Sequence, residues 1–486
     1  MSATPESPQG ESERARDSRL VISPNAMAYG ALVCGVAFRM TQYAFRTSIW
    51  HDEAFIALNI IHKSYAGLLG PLDWNETAPP GFTFLEKTVY ILLGSSEYSW
   101  RLIPLLAGLT GLLAFSALAR VVCGSGYARA WAVVMMAASD KLISQANELK
   151  HFTLDLLLSV LILSLAIRAL YSSAPARLVV ILGFTGAIGI WFSFSSGFVF
   201  AGAGLALLAP ALLHWKRPAQ LALAFAGTIG LVSFLMLSPT LRAQGGTGLI
   251  QFWKDSFPDP THPIRMAIWL VRAVVGLFNY FWQPFGLVLA LLAVLGSTRM
   301  SRSASYPVVA VLWLSILFSL VAAFVHRWPF GGNQHMVFAA PAVFLSVGVG
   351  IEAVRELIAR PLYSWLLLGV LLVPQSALAA YHLVVPRYRH EARPVIEFYE
   401  AQRRPDDGVV VQCVAEFEFY ATNRDLPAIR TPDPARRLWI ITTSSGAKGF
   451  DPEAIAKLAP HRPYLGGEQA YGAGAYLFGP EIPSSR

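Results

Sequence analysis

Charged residues are scarce in this chain of 486 residues. Only 14% of the residues are Asp, Glu, Lys or Arg, whereas 55% are hydrophobic and the mean hydropathy is +0.48. Soluble globular proteins carry about 25% charged residues, so the composition excludes a soluble enzyme and indicates an integral membrane protein. The net charge of +8 arises mostly between apolar runs, where basic residues set topology and contact lipid headgroups. We therefore expect no nucleic-acid partner.

Cysteine is also scarce. The chain has Cys34, Cys123 and Cys413, without the spacing of a disulfide framework or a metal site. This predicts neither a structural disulfide nor a zinc site built on cysteine. No internal repeat of the solenoid or channel kind is visible. The first 25 residues lack the apolar stretch of a cleavable signal peptide, and we expect them to form a disordered cytoplasmic tail.

Long apolar runs, by contrast, are abundant. A membrane-spanning helix needs about 20 predominantly apolar residues. The sequence predicts about eleven such helices, at approximately 26–47, 101–121, 127–146, 149–170, 177–195, 197–214, 219–239, 281–297, 307–326, 335–351 and 363–385.

Basic residues mark every second connection, and the positive-inside rule places these connections in the cytoplasm. With a cytoplasmic N-terminus, segments 48–100, 144–150 and 240–280 and everything after about residue 386 lie outside. We thus predict a transmembrane domain over residues 26–385. Residues 386–486 show an amphipathic helix pattern followed by short β-branched runs, which predicts a small extracytoplasmic α/β domain. The expected location is the inner (plasma) membrane of a bacterium.

Two adjacent carboxylates, Asp52 and Glu53, follow the first apolar run in the stretch "WHDEAF". A carboxylate at a partly wet interface can act as a general base in a group transfer. Adjacent side chains point in different directions, so only one of the two can reach the substrate, and the other is better suited to orient a cation or a loop. The alternative is that the pair only caps a surface helix.

A second polar cluster is "NELKHFTLD" at 147–155. Glu148, His151 and Asp155 are spaced i, i+3 and i+7, so a helix would place them on one face, with Asn147 and Lys150 as a neighbouring pair. Ionisable groups at a membrane helix end are costly and often mark a functional cavity. An intrahelical salt-bridge network is the alternative. The same face could hold a divalent ion, although three ligands alone are a weak indication.

Two further external segments carry candidate ligands. Arg265 and Arg272 are seven residues apart, on one helical face near Trp269, and arginine binds phosphate with two parallel hydrogen bonds. They could equally be snorkelling anchors at the interface. The Gly-Gly-Asn-Gln-His corner at 331–335, which ends in His335, suggests a backbone that approaches a ligand closely.

Taken together, the Asp-Glu pair, "APPGFTFLEK", "YSWRLIPLLAGLTGLLAF", "NELKHFTLD" and "WPFGG" resemble motifs of one family. They are similar, in order and spacing over most of residues 30–350, to the polytopic glycosyltransferases of the protein O-mannosyltransferase and aminoarabinose transferase group, which have the GT-C fold.

This resemblance implies an inverting transfer of one sugar from a polyprenyl-phosphate carrier to a lipid, glycan or protein acceptor on the extracytoplasmic face. It implies Asp52 as the catalytic base with Glu53 as its partner, and places Glu148, Lys150 and Asp155 in the second external loop of the family. No cofactor is certain, and a divalent metal is possible.

One departure from the family pattern bears on phosphate binding. Many relatives have an arginine after the Gly-Gly turn, where this chain has Asn333 and Gln334 before His335. The resemblance therefore implies that another cation, such as Lys150, Arg265, Arg272 or His335, meets the phosphate.

A transporter or flippase of a lipid-linked or anionic solute is the alternative, because membrane carboxylates, His151 and Lys150 could also relay protons or bind ions. Transporters usually show repeats and broken helices near the bilayer midplane. Here the charged groups gather on one side, which favours surface chemistry. A family member that has lost activity and serves as a scaffold is a third possibility.

Overall fold

A computed structural model describes residues 23–123, 126–303, 306–358, 361–422, 433–443, 455, 457 and 459–482. Most of the predicted N-terminal tail lies outside these residues. Helices dominate the first 381 residues, and a small sheet appears only after them. The first seven helices are α1 Pro24–Ala44, α2 His51–His62, α3 Pro80–Leu93, α4 Glu97–Trp100, α5 Leu102–Val122, α6 Gly126–Ala138 and α7 Asp140–Gln145.

Ten more helices complete the membrane part. They are α8 Phe152–Tyr171, α9 Pro175–Phe192, α10 Ser196–His214, α11 Arg217–Gln244, α12 Thr247–Phe252, α13 Pro263–Phe281, α14 Gly286–Ser303, α15 Tyr306–Phe324, α16 Ala340–Leu357 and α17 Pro361–Tyr381. A 3₁₀ segment, Gln334–Ala339, leads directly into α16.

Eight helices in the described part of the chain are long and apolar enough to cross a membrane: α5, α8, α9, α10, α11, α13, α15 and the continuous Gln334–Leu357 segment. The other predicted runs are helical too, as α1, α6 with α7, α14 and α17. One difference concerns segment 240–280, which is predicted to lie outside the membrane. It contains α13, whose 19 residues meet the same criteria of length and apolarity.

The predicted run 127–146 is broken at Ser139, between α6 and α7. A buried arginine in α1, Arg39, donates hydrogen bonds to the carbonyls of Met136 (3.2 Å) and Ala137 (3.1 Å). The last carbonyls of a helix lack partners within it, so Arg39 satisfies two of them where α6 ends. The Ser139 hydroxyl donates to the carbonyl of Phe281 (3.0 Å), which joins this break to the end of α13.

The C-terminal part is a small α/β unit, as predicted. It comprises α18 Ala392–Gln402, β1 Gly408–Val411, α19 Val414–Thr422, β2 Leu438–Thr443, β3 Tyr464–Ala470 and β4 Ala473–Phe478. The strand order is β1-β2-β4-β3. The β1–β2 pair is parallel, with Gly408 opposite Leu438, whereas β2–β4 and β3–β4 are antiparallel. The predicted fold class is thus observed: a polytopic helical membrane part followed by a small α/β unit.

The α/β unit packs against α2 and the segment that precedes it. Phe417 and Phe419 of α19 share one buried cluster with Ile56 and Ile60 of α2. Burial of such side chains stabilises the contact by about 1.5–3 kcal/mol each. This unit therefore forms one body with α2, rather than a tethered appendage.

Hydrogen bonds reinforce this contact at residues 48 and 49. The Tyr420 hydroxyl accepts a hydrogen bond from the Ile49 backbone N–H (2.9 Å) and donates to Glu97 (3.1 Å). The Glu391 carboxylate accepts from the backbone N–H and the hydroxyl of Ser48, both at 3.0 Å. Buried polar groups of this kind need partners, and these partners fix the chain immediately before α2.

Candidate functional site

A buried ion pair between Glu53 and Arg101 lies at the centre of the candidate site. Arg101 donates from Nε to Glu53 Oε1 (2.8 Å) and from Nη2 to Oε2 (2.6 Å), which is a bidentate pair. The Glu53 side chain is 0% exposed and the Arg101 side chain is 6% exposed. Glu53 Oε1 also accepts a hydrogen bond from the backbone N–H of Leu149 (2.7 Å). One carboxylate therefore joins the starts of α2 and α5 and the turn before α8.

The remaining donors of Arg101 hold the segment before α2. They bond the carbonyl of Thr47 (2.7 Å), its hydroxyl (3.0 Å) and the carbonyl of Ser48 (2.9 Å). A buried charge costs several kcal/mol unless it is paired and hydrogen-bonded, and here both partners are. Because Asp52 precedes Glu53 and Lys150 follows Leu149, the same contacts place both candidate functional side chains.

Asp52 differs from its neighbour by facing a partly open space, with its side chain 34% exposed. Its Oδ1 lies 3.0 Å from Nε2 of His51. Burial alone would raise the pKa of Asp52, but the hydrogen bond from His51 and the charges of Lys150 and Arg389 outweigh it and lower the pKa below the ordinary 3.8. Asp52 is thus ionised at neutral pH, as a general base must be.

Glu53 fits in part the alternative of a helix cap, since its carboxylate accepts a long hydrogen bond of 3.4 Å from the Trp50 N–H at the start of α2. Its principal contacts are nevertheless with Arg101 and Leu149. The cap thus explains little of the burial of Glu53. Asp52 also lies in the first turn of α2, where the helix dipole favours a carboxylate.

Lys150 is bound by a carboxylate that the sequence reasoning missed. Its Nζ lies 3.1 and 3.2 Å from the two oxygens of Glu76. The side chains are 12% and 15% exposed. Burial raises the pKa of Glu76, and the charge of Asp52 adds to this effect, while Lys150 opposes it. The two carboxylates near Lys150 therefore have pKa values shifted in opposite directions, which is typical of sites that assign them different roles.

A second cation, Arg389, comes from the connection between α17 and α18. It donates from Nη2 to Glu148 (3.2 Å), and its guanidinium lies 4.9 Å from the ring centroid of Trp50. The charge of Glu148, and to a smaller extent that of Asp52, raises the pKa of Arg389. Glu148 also accepts a hydrogen bond from the Ser144 hydroxyl (2.8 Å). Arg389 was not predicted, because nothing local in its sequence links it to the first loop.

The expected helical face of Glu148, His151 and Asp155 does not form, since α8 begins only at Phe152 and residues 146–151 form turns. Glu148 faces Arg389, whereas His151 Nε2 lies 3.8 Å from Asp155 Oδ2. The alternative, an intrahelical salt-bridge network, does not describe Lys150 either, because its ammonium pairs with Glu76. The sequence places the start of this helix at about residue 149, whereas the helix begins at Phe152.

His151 and His335 both contact the ring of Phe152 in an aromatic pocket. The centroid of the Phe152 ring lies 4.7 Å from that of His151 and 5.5 Å from that of His335. Trp253 and Trp328 enclose His335 further, at 5.0 and 5.6 Å. Burial, followed by the charges of His335 and Lys150, lowers the pKa of His151 well below its ordinary value. His151 is thus uncharged at neutral pH.

The Gly-Gly corner before His335 packs against α13. A Cβ on Gly332 would lie 2.8 Å from the carbonyl oxygen of Gly276, and Gly331 has a φ of +128° that other residues rarely adopt. The close approach of two backbones therefore explains these glycines, where the sequence suggested contact with a ligand.

Arg265 and Arg272 lie on the exposed face of α13. Within the described ranges, no hydrogen bond or ion pair joins either of them to Asp52, Glu76 or Lys150. The cations that the fold brings near Asp52 are Lys150 and Arg389.

The sequence offers Glu148, His151 and Asp155 only as a weak indication of a divalent-ion site. Among the described residues, the group whose ligand atoms lie close enough together for one ion is instead His51, His390 and Glu416. The three cysteines are all free.

Replacement of Glu53 by Gln leaves the buried Arg101 without its charge partner. We predict a loss of about 3–5 kcal/mol in stability, because the remaining charge stays desolvated. Glu356→Gln is the matched control, since its ion pair with Arg299 (2.5 Å) is 44% and 42% exposed and should contribute below about 1 kcal/mol. Thermal unfolding of both variants in detergent measures the difference. Equally small losses of stability in the two variants would show that the buried ion pair contributes no more to stability than the exposed one.

No family model and no curated protein matches the sequence. Solved structures do match the fold. The oligosaccharyltransferase of Archaeoglobus fulgidus in complex with zinc and sulfate matches with a TM-score of 0.51 and 12% identity, over 85% of this chain and 68% of that chain. The same enzyme in complex with an inhibitory peptide and a dolichol-phosphate gives a TM-score of 0.51 and 10% identity, over 86% and 69% of the two chains.

ArnT from Cupriavidus metallidurans, bound to undecaprenyl phosphate, matches with a TM-score of 0.50 and 16% identity. This match covers 94% of this chain and 98% of ArnT. At such low identity the similarity concerns the fold alone. It confirms the fold expected from the sequence motifs: the chain is a polytopic membrane protein with the GT-C fold.

Proposed function

We propose that this protein is a membrane glycosyltransferase. It moves one sugar, with inversion, from a polyprenyl-phosphate carrier to an acceptor on the extracytoplasmic face, and Asp52 is the general base. The observation that carries the proposal is an ionised, partly exposed Asp52 beside two cations, Lys150 and Arg389, within a GT-C fold.

The ligands of the structural neighbours support the donor class. ArnT was solved with undecaprenyl phosphate and the oligosaccharyltransferase with a dolichol-phosphate and a peptide. Both lipids are polyprenyl-type phosphates. By analogy, the donor of this protein is a sugar on such a carrier, and the acceptor approaches from the side of the α/β unit.

In the proposed reaction, an acceptor hydroxyl attacks the anomeric carbon of the sugar from the face opposite the phosphate. The bond between that carbon and the phosphate oxygen breaks, and its electron pair leaves with the polyprenyl phosphate. Asp52 takes the proton of the acceptor hydroxyl. Because the single displacement comes from the face opposite the leaving phosphate, the anomeric configuration inverts.

A phosphate leaving group needs no protonation by an acid, but it gains negative charge that positioned cations can stabilise. Lys150 and Arg389 are the cations assigned to this role. Glu76 holds the Lys150 ammonium within 3.2 Å, and Glu148 holds the Arg389 guanidinium at 3.2 Å. These two carboxylates thus orient the cations and leave their other donors for the phosphate.

The other predicted site residues receive supporting roles in this proposal. Glu53 positions Asp52 through its ion pair with Arg101. His151, Asp155 and His335 form the buried wall behind Lys150. Arg265 and Arg272, on the exposed face of α13, contact lipid headgroups.

We further propose that the N-terminus is cytoplasmic, that residues 26–385 form the membrane domain, and that residues 386–486 lie outside the inner membrane. The basic connections between alternate predicted runs support this orientation. It requires that α13 does not cross the membrane, because one further crossing would place residues 386–486 on the side opposite Asp52. The hydrogen bonds of Tyr420 and Glu391 with residues 48 and 49 support placing the α/β unit on the side of Asp52.

Asp52→Asn removes the base and keeps the shape of the side chain. We expect transfer of label from radiolabelled undecaprenyl-phosphate sugars to cell-envelope acceptors to fall by about 10²–10⁴-fold. Asp73→Asn is the control, since Asp73 lies in the same external segment, is 67% exposed and pairs with Lys63; it should transfer at the wild-type rate. Transfer by the Asp52 variant at the wild-type rate would exclude Asp52 as the base.

The pH dependence should report the charges around Asp52. The pKa of Asp52 in the folded protein lies below 3.8. The carboxylate is therefore ionised at every pH above this lowered pKa, and it is protonated only as the pH falls through it. We expect kcat/KM of the wild type to be flat between about pH 5 and 7.

Lys150→Met removes one of the charges that lower the pKa of Asp52. The acid limb of the pH profile of kcat/KM should therefore move to higher pH, in addition to any loss of rate. Lys63→Met, at a lysine paired with the exposed Asp73, should leave the limb in place. An acid limb that is identical in all three proteins would contradict the electrostatic role of Lys150.

A further inference from the structure

Three potential metal ligands meet where the α/β unit contacts α2. They are His51 at the start of α2, His390 just before α18 and Glu416 in α19, and one ligand atom from each lies within 4.8 Å of the other two. The contact between three distant segments brings them together. None of them belongs to the set proposed above for base catalysis and phosphate binding.

Two of these ligand atoms are buried without a hydrogen-bond partner. Nδ1 of His390 and Oε1 of Glu416 lie 3.5 Å apart, and their side chains are only 9% and 2% exposed. Buried polar groups are nearly always satisfied, and leaving one unpaired is costly. These two atoms make an ion-pair contact with each other at 3.5 Å but no hydrogen bond, so an ion bound between them would satisfy both.

The ring of His51 closes the third side. It stacks on His390 with centroids 5.4 Å apart and an interplanar angle of 27°, and the edge of Trp50 flanks His390 at 6.5 Å. These contacts fix the orientation of both imidazoles. A fixed orientation of the ligand rings favours metal binding, because these side chains lose little conformational entropy when the ion binds.

We propose that His51, His390 and Glu416 bind one zinc-like divalent transition metal ion. Two imidazoles and one carboxylate are a ligand set that suits zinc and leaves a fourth position open for water. Ligand atoms about 2.0–2.2 Å from a tetrahedral ion lie about 3.3–3.6 Å from each other. The 3.5 Å between His390 and Glu416 already falls in this range. The ligand atom of His51 lies within 4.8 Å of the other two and would move closer by up to about 1 Å when the ion binds.

The ion connects the α/β unit to the candidate active site. His51 contributes a ligand and also hydrogen-bonds Asp52 at 3.0 Å, so it is a positioning residue. A metal bound to the imidazole fixes its tautomer and orientation, and places positive charge near Asp52. This last consequence rests on the proposed function, whereas metal binding itself does not.

Metal content tests the proposal directly, with the full-length protein in detergent, equilibrated with Zn²⁺ and desalted. Mass spectrometry of the metal should find about one zinc ion per chain in the wild type. His390→Gln and Glu416→Gln should each weaken zinc affinity by at least about 10-fold, the loss that even an outer-shell change causes, and so lower the zinc retained after desalting. Wild-type protein without stoichiometric zinc, or variants that retain it, would overturn the proposal.

Glu418→Gln is the matched control. Glu418 lies on the same helix, α19, and 4.0 Å from a histidine of α2, His62, but these side chains are 42% and 48% exposed. This variant should keep the zinc content of the wild type. An equal loss in the Glu418 variant would show that the zinc was bound by surface carboxylates, and would refute the site.

Cobalt spectroscopy gives a second measurement that does not depend on the variants. Co²⁺ added to metal-free wild-type protein should produce the intense visible absorption bands of a four-coordinate ion, and Zn²⁺ should displace them. Absence of these bands would contradict the assigned geometry even if both variants failed to fold. Neither measurement involves sugar transfer, so an inactive donor or a wrong base assignment would leave its outcome unchanged.

Discussion

The buried ion pair of Glu53 and Arg101 is the contact on which the rest of the candidate site depends. It lies between α2, the start of α5 and the turn before α8, and each of these segments carries or supports a polar group of the site. Two ions this deeply buried are tolerated only because nearly every donor and acceptor around them is used. Such an arrangement permits little movement. It thereby fixes Asp52 on one side and Lys150 on the other.

The C-terminal α/β unit takes part in the same arrangement. Its hydrogen bonds through Tyr420 and Glu391 hold residues 48 and 49, and the connection that precedes it supplies Arg389 and His390. The environment of Asp52 is therefore built from both ends of the chain. A unit that only recognised the acceptor would not need to contribute these contacts, so we regard it as a structural part of the candidate active site.

Much of this architecture could be predicted from the sequence, because apolar runs, basic connections and strand patterns are local signals. Asp52 and Lys150 could also be singled out, since ionisable residues beside membrane helices are costly. The ion pairs of the site could not be predicted. Glu76 lies near Lys150, and Arg389 near Asp52, only because the fold brings distant segments together, and no sequence pattern indicates these contacts. The sequence predicts a helix through Glu148, because the turn at residues 146–151 contains no proline or glycine that would indicate a helix boundary.

The central claim is that a lipid phosphate binds between Lys150 and Arg389 and presents its sugar to Asp52. A structure by electron cryo-microscopy of the full chain in nanodiscs with undecaprenyl phosphate tests it most directly. The account predicts phosphate oxygens at hydrogen-bonding distance, about 2.7–3.2 Å, from both cations. A phosphate bound at Arg265 and Arg272 instead, away from Asp52, would contradict it.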